Sequence, residues 1–164
     1  MSMFENDQYC WRETYFVLFD AARRPTAKAM QKALGRLDQH FTLTNLRGDD
    51  SGLFESITVL APDDFAALDI CYLSGDEVTE QAAVFAKELQ SSGLSGADKA
   101  RLDKLRRSTG RFDVLHFEQI VRFEEEEDED SDGMLDPSAL LIVLDTLAKL
   151  TDGIAIDPQG GMLM

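Results

Sequence analysis

Residues 41–46 and 54–60 both read as strands, and only seven residues separate them. A parallel crossover needs a dozen residues or more, so these two must pair antiparallel. The link, Arg47-Gly48-Asp49-Asp50-Ser51-Gly52, is a cluster of turn formers and completes a hairpin. A purely parallel α/β sheet is thereby excluded. Residues 15–19, Tyr-Phe-Val-Leu-Phe, form an uninterrupted apolar run ended by Asp20, the pattern of a strand covered on both faces in the middle of a sheet.

Helical periodicity alternates with these strands. Ala27, Met30, Ala33, Leu34 and Leu37 make one apolar stripe. Residues 68–73 predict a further strand. A helix capped by Ser74 or Asp76 follows, with Val78, Ala82, Phe85, Ala86 and Leu89 on one face. After a Ser/Gly-rich joint at 91–96 come a short basic helix over 97–108 and a strand over 111–121. Asp136 and Pro137 are a cap and first-turn pair for a helix carrying Leu140, Leu141, Leu144, Leu147 and Ala148. Asp152-Gly153 ends it, with glycine expected in the left-handed position. Residues 154–164 read as a terminal hairpin or a strand and tail. The expected class is α+β in two layers, with singly striped helices on one face of a mixed or antiparallel sheet. Residues 15–60 and 112–164 share the order β-α-β-β, which suggests a pseudo-duplicated, ferredoxin-like layout. Residues 1–164 are read as one domain with an acidic, mobile loop at 124–135.

Charge narrows the partners. There are 31 acidic and 16 basic residues, a net charge of −15, and eight of the acids crowd between Glu124 and Asp132. A surface this negative repels phosphate backbones and anionic headgroups, so neither nucleic acid nor membrane is the expected partner; a basic protein is. Two cysteines, Cys10 and Cys71, are too few for a disulfide framework. The polar, acidic stretch from Met1 to Tyr9 has no signal-peptide pattern, and the expected location is the cytoplasm. The sequence leaves the oligomeric state open.

The acidic run carries two readings. Asp128, Asp130, Asp132 and Asp136, with Gly133 between, match the first half of an EF-hand-type loop, because calcium takes six to eight hard oxygens. The match stops there: Ala139 stands where the bidentate glutamate belongs, and Pro137 interrupts the loop. Composition alone produces such a match in a run this acidic, so a solvated loop is the plainer reading and weak Ca²⁺ binding the alternative. Glu124, Glu125, Glu126 and Glu127 offer a partner-binding segment. Lys99, Arg101, Lys104, Arg106, Arg107 and Arg111 form a basic patch that either folds back on that run or faces a partner. Trp11 is read either as edge-of-core packing or as an aromatic anchor for a partner.

Catalytic patterns are sparse. His40 and His116 have no neighbouring ligands at metal-site spacing, and no nucleophile elbow or phosphate-binding glycine loop is present. Cys71 and His116 both fall on strands and could meet as a thiol–imidazole pair, although a buried structural cysteine is the plainer reading. No catalytic residue or cofactor is assigned. The expectation is a non-enzymatic intracellular regulator, or an immunity-like inhibitor of a basic toxin domain. A calcium-responsive module and a carboxylate-using enzyme are the alternatives.

Overall fold

The computed structural model describes residues 9–37, 40–62, 65–90, 96–119, 138–157 and 162–163. In chain order these form β1 (Tyr9–Phe19), α1 (Ala27–Gly35), β2 (Thr42–Gly48), β3 (Phe54–Ala61), β4 (Ala66–Ser74), α2 (Asp76–Gln90), α3 (Gly96–Arg106), β5 (Gly110–Gln119), α4 (Ser138–Thr151), β6 (Ile154–Asp157) and β7 (Met162–Leu163). All strands join one antiparallel sheet in the order β2-β3-β4-β5-β1-β6-β7. The α+β class and the 41–60 hairpin are as the sequence requires. β1 and β5, which open the two β-α-β-β runs, lie side by side; β4, α2 and α3 are inserted between those runs in sequence.

Strand alternation decides what each face receives. Tyr15, Val17 and Phe19 of β1 point to one face with Phe112 and Val114 of β5, Leu68 and Ile70 of β4, and Ile57 and Val59 of β3. Onto this face α1 sets Met30 and Leu34, and α4 sets Leu140, Val143, Leu144 and Leu147. This is the two-layer body, and each such fully buried aliphatic side chain contributes roughly 1.5–3 kcal/mol. Phe112 packs 4.7 Å from Phe19 and edge-on to Phe54 at 5.6 Å. The half-buried ring of Tyr72, packed against Phe19 and Phe112, is capped by the Arg24 guanidinium, 4.1 Å from its centre.

On the opposite face, Phe16 and Leu18 of β1 meet Ile154 and Ile156 of β6 under α2 and α3, which contribute Val78, Ala82, Ala86, Leu89, Leu102 and Leu105. This second cluster holds no residue of β2, β3 or β4. The inserted helices therefore cover one half of that face and leave the other half without a helix among the described residues.

Local chemistry sets the ends. The Thr26 hydroxyl accepts from the Ala29 N–H at 3.0 Å and caps α1. In the 47–52 turn, the Asp49 carboxylate accepts from the N–H groups of Ser51 (2.9 Å) and Leu53 (3.0 Å), while Gly52 supplies φ +83°. At the end of α4 the left-handed residue is Asp152 (φ +52°), not Gly153. Gly153 is required for a different reason: a Cβ there would lie 2.6 Å from the Leu18 carbonyl oxygen and 2.9 Å from the Phe19 Cβ. The Asp136–Pro137 cap lies outside the described residues.

Candidate functional site

Among the described residues, the half-face without a helix carries the β2–β4 part of three cross-strand rows that run on to β5 and β1, where the third row passes under α2. Leu60, Ala67, Phe117 and Trp11 pair in register across β3, β4, β5 and β1. The next row is Thr44, Thr58, Asp69, Leu115 and Thr14, and the third is Arg47, Ser56, Cys71, Asp113 and Phe16. Neighbouring strands lie about 4.8 Å apart, so two strand spacings, roughly 10 Å, separate the backbone of Asp69 from β1 and Trp11. The first row is apolar, with Ala67 and Phe117 buried against Leu60, Leu115 and Tyr9. The other two are polar from β2 to β4.

Between the polar rows lies an open groove of about 250 Å³ lined by Asn45, Arg47, Ser56, Ile57, Thr58, Asp69 and Cys71. A bulge in the edge strand β2 shapes its outer wall: pairing with β3 breaks between Thr44 and Arg47 and again before Gly48, and Asn45 takes φ +56°. Asparagine tolerates that conformation, and bulges re-aim side chains beside functional surfaces. Arg47 stands exposed at this wall. On the inner side, buried Thr58 donates its hydroxyl to the Asp69 carboxylate at 2.6 Å.

Cys71 sits between two carboxylates. Burial, and behind it the charges of Asp69 and Asp113, push its thiol above the ordinary cysteine value. A thiol held protonated is a poor nucleophile. Asp113 is itself raised by burial, against the pull of Arg111. The Arg111 guanidinium donates to both Asp113 oxygens (2.6 and 3.3 Å) and to the Gln81 side-chain oxygen of α2, and it lies 4.6 Å over the Phe16 ring. What the groove offers is hydrogen-bond acceptors, one rim cation and negative potential, the chemistry of recognition.

Trp11 is 42% exposed, and its indole N–H donates to the Thr14 hydroxyl at 3.1 Å. Of the two aromatic residues flanking the first strand, Tyr9 packs on the core edge and Trp11 does not. β1 thus begins earlier than the apolar run at 15–19 indicates, and its extra residues bring Trp11 onto the same face as Asp69. Glu124, Glu125, Glu126 and Glu127, and the metal candidates Asp128, Asp130, Asp132 and Asp136, lie outside the described residues.

The basic patch is divided by the fold. Arg111 is buried beneath α2 and belongs to the sheet, while Lys104 pairs with Asp152 at 2.7 Å and Arg106 with Asp103 at 3.3 Å. Cys71 and His116 do not meet. Cys71 pairs with Asp113 and His116 with Leu68, an offset of three residues that sends the two side chains to opposite faces. His116 is buried on the α1–α4 side, its Nδ1 3.4 Å from Glu13 Oε1. Among the described residues no cluster of three or more His, Cys, Asp or Glu side chains is placed to hold a metal, and no helix is long and apolar enough to cross a membrane.

The groove residues escaped sequence reasoning because each is a common strand or turn residue. A signal existed: Ser56-Ile57-Thr58-Val59 and Leu68-Asp69-Ile70-Cys71 alternate polar and apolar, marking one wet face on each strand. Comparison with known proteins adds nothing to the geometry: no protein family, curated protein or solved structure matches this chain.

Proposed function

We propose that this chain is a non-enzymatic cytoplasmic protein that binds a basic protein partner, as a regulator or as an immunity-like inhibitor. The observation that carries the reading is the half-face that no helix covers among the described residues, where exposed Trp11 and the Asp69 groove share one side of the sheet in a chain of net charge −15. A solvent-facing tryptophan beside a polar groove has the composition of an interface anchor and its rim. Exposed Asp76, Glu77, Glu80 and Glu88 on α2 extend the negative surface, and Glu124, Glu125, Glu126 and Glu127 add to the net negative charge of the chain. The field of such a surface accelerates encounter with a cationic partner by about 10- to 1000-fold and loses that effect in salt.

The test is capture from native lysate on immobilised wild type and Trp11→Ala, followed by kinetics with the purified captured protein. The expected result is a basic protein whose association rate falls at least about tenfold between 25 and 500 mM NaCl. Trp11→Ala should dissociate faster, losing about 2 kcal/mol of binding. An association rate indifferent to salt would overturn the reading.

A further inference from the structure

We infer that the α1–α4 layer is a second docking surface, on the opposite side of the sheet from the groove, and that it takes an acidic amphipathic helix of a protein partner. This surface is independent of the basic-partner reading. Residues 21–37 hold Arg23, Arg24, Lys28, Lys32 and Arg36 and no acid, in a chain with 31 acidic and 16 basic residues. Arg24 is used within the fold, against Asp49 and the Tyr72 ring. Lys28, Lys32 and Arg36 are exposed at i, i+4 and i+8, on the side of α1 opposite buried Met30 and Leu34.

Nothing within the helix calls for that stripe. Lys28 stands in the first turn, where the macrodipole disfavours a cation, and both i, i+4 pairs are of like charge. Among the described residues the three side chains form no ion pair, whereas Lys104 and Arg106 of α3 bind Asp152 and Asp103. A stripe that works against its own helix is accounted for by what it binds. α4 packs beside α1 on the same face of the sheet and leaves Leu141 and Ile142 exposed, by 49% and 45%. Asp145, an exposed acid of α4, is paired with Lys149 at 2.8 Å. Cations on one helix and bare aliphatic side chains on its neighbour call for carboxylates and apolar groups on adjoining faces of one ligand. A helix provides them: carboxylates at i, i+4 and i+8 follow the stripe over about 12 Å, and an apolar face beside them meets Leu141 and Ile142. An anionic membrane offers the same two chemistries. Its plane, however, meets the field of the whole chain, of net charge −15, whereas a single helix meets the local one.

Fluorescence anisotropy with the full chain tests this, using a labelled, capped helical peptide with glutamate on one face and leucine on the adjoining one. A peptide of the same composition in scrambled, non-amphipathic order is the control. The amphipathic peptide should bind at least about tenfold tighter than the scrambled one. The double variant Lys28→Ser, Lys32→Ser should lower its affinity about tenfold, and Leu141→Ser, Ile142→Ser should do so independently. All four positions are exposed, and circular dichroism would show that both variants are folded. Trp11→Ala, on the other side of the sheet, should bind the peptide as wild type does. No binding of the amphipathic peptide, equal binding of the scrambled one, or unchanged affinity in either folded variant overturns the assignment. Binding of phosphatidylserine vesicles in place of the peptide would overturn it too, and would give the surface to a membrane. Each of these outcomes leaves the salt-dependent capture of a basic partner standing.

Discussion

His116 shows what one buried side chain does to stability. It is 1% exposed, and its Nε2 has no hydrogen-bond partner among the described residues. Burial lowers its pKa, against the opposing influence of the nearby Glu13 carboxylate, with Arg12 and Glu118 as the next charges. An unfolded histidine titrates near 6.5, so below that pH the unfolded chain takes up a proton that the folded one refuses. The stabilisation from a neutral, buried His116 is therefore complete above about pH 6.5 and is lost as pH falls toward the lowered folded value. Asp113, raised by burial, acts in the opposite sense: its folded carboxyl holds a proton that the unfolded one gives up, and this favours the fold as pH drops through its raised pKa. Urea melts from pH 7.5 to 5.5 should show stability falling by about 1 kcal/mol in wild type. In His116→Leu that part of the slope should vanish. Parallel pH profiles for the two proteins would show that His116 is not the group responsible.

At the scale of elements, α2 is fastened to the sheet by a polar contact as well as an apolar one. Arg111, buried on β5, reaches the Gln81 oxygen of α2 while holding Asp113 with two hydrogen bonds. Arg111→Met keeps most of the stem's packing but leaves Asp113 without its counter-ion, and such a break costs about 3 kcal/mol. Hydrogen exchange should quicken in α2 relative to α4, which packs on the other face. Equal protection in the two helices would mean that the apolar seam of Val78, Ala82 and Ala86 suffices. The sequence made these helices legible through their stripes, and the 41–60 hairpin through its short link. It did not show which face α2 and α3 would take, because a stripe states that a helix is buried and not against what. Nor did it show the early start of β1, where Arg12, Glu13 and Thr14 interrupt the apolar pattern: Glu13 and Thr14 still pair with β5, and Arg12 falls at the register shift between Trp11 and Glu13. The groove joins residues from β2, β3 and β4 through register, a long-range property to which local propensity is blind.

For the whole molecule, the balance of charge decides how salt acts. Among the described residues the ion pairs Lys104–Asp152, Arg106–Asp103 and Lys149–Asp145 are exposed, and such pairs contribute about 0–1 kcal/mol each, so screening them costs little. Self-repulsion in a chain of net charge −15 is the larger quantity, and it falls as the Debye length shrinks from about 10 Å at 0.1 M to 3 Å at 1 M. Sodium chloride should therefore stabilise the fold while weakening the proposed partner complex, a pairing of opposite signs that a general denaturing or salting-out effect does not produce. Between 0.05 and 0.5 M NaCl the Tm should rise by about 3 °C or more, equivalent to roughly 1 kcal/mol in a domain of this size. An unchanged or lower Tm would mean that the acids are already compensated in the native state. The same melts address Asp128, Asp130, Asp132 and Asp136. If those carboxylates take up calcium, millimolar CaCl₂ stabilises wild type beyond MgCl₂ of equal ionic strength, and Asp130→Ala abolishes the difference. If they act only as solvated charge, the two salts coincide, and the acidic run enters the physics of this protein through its field alone.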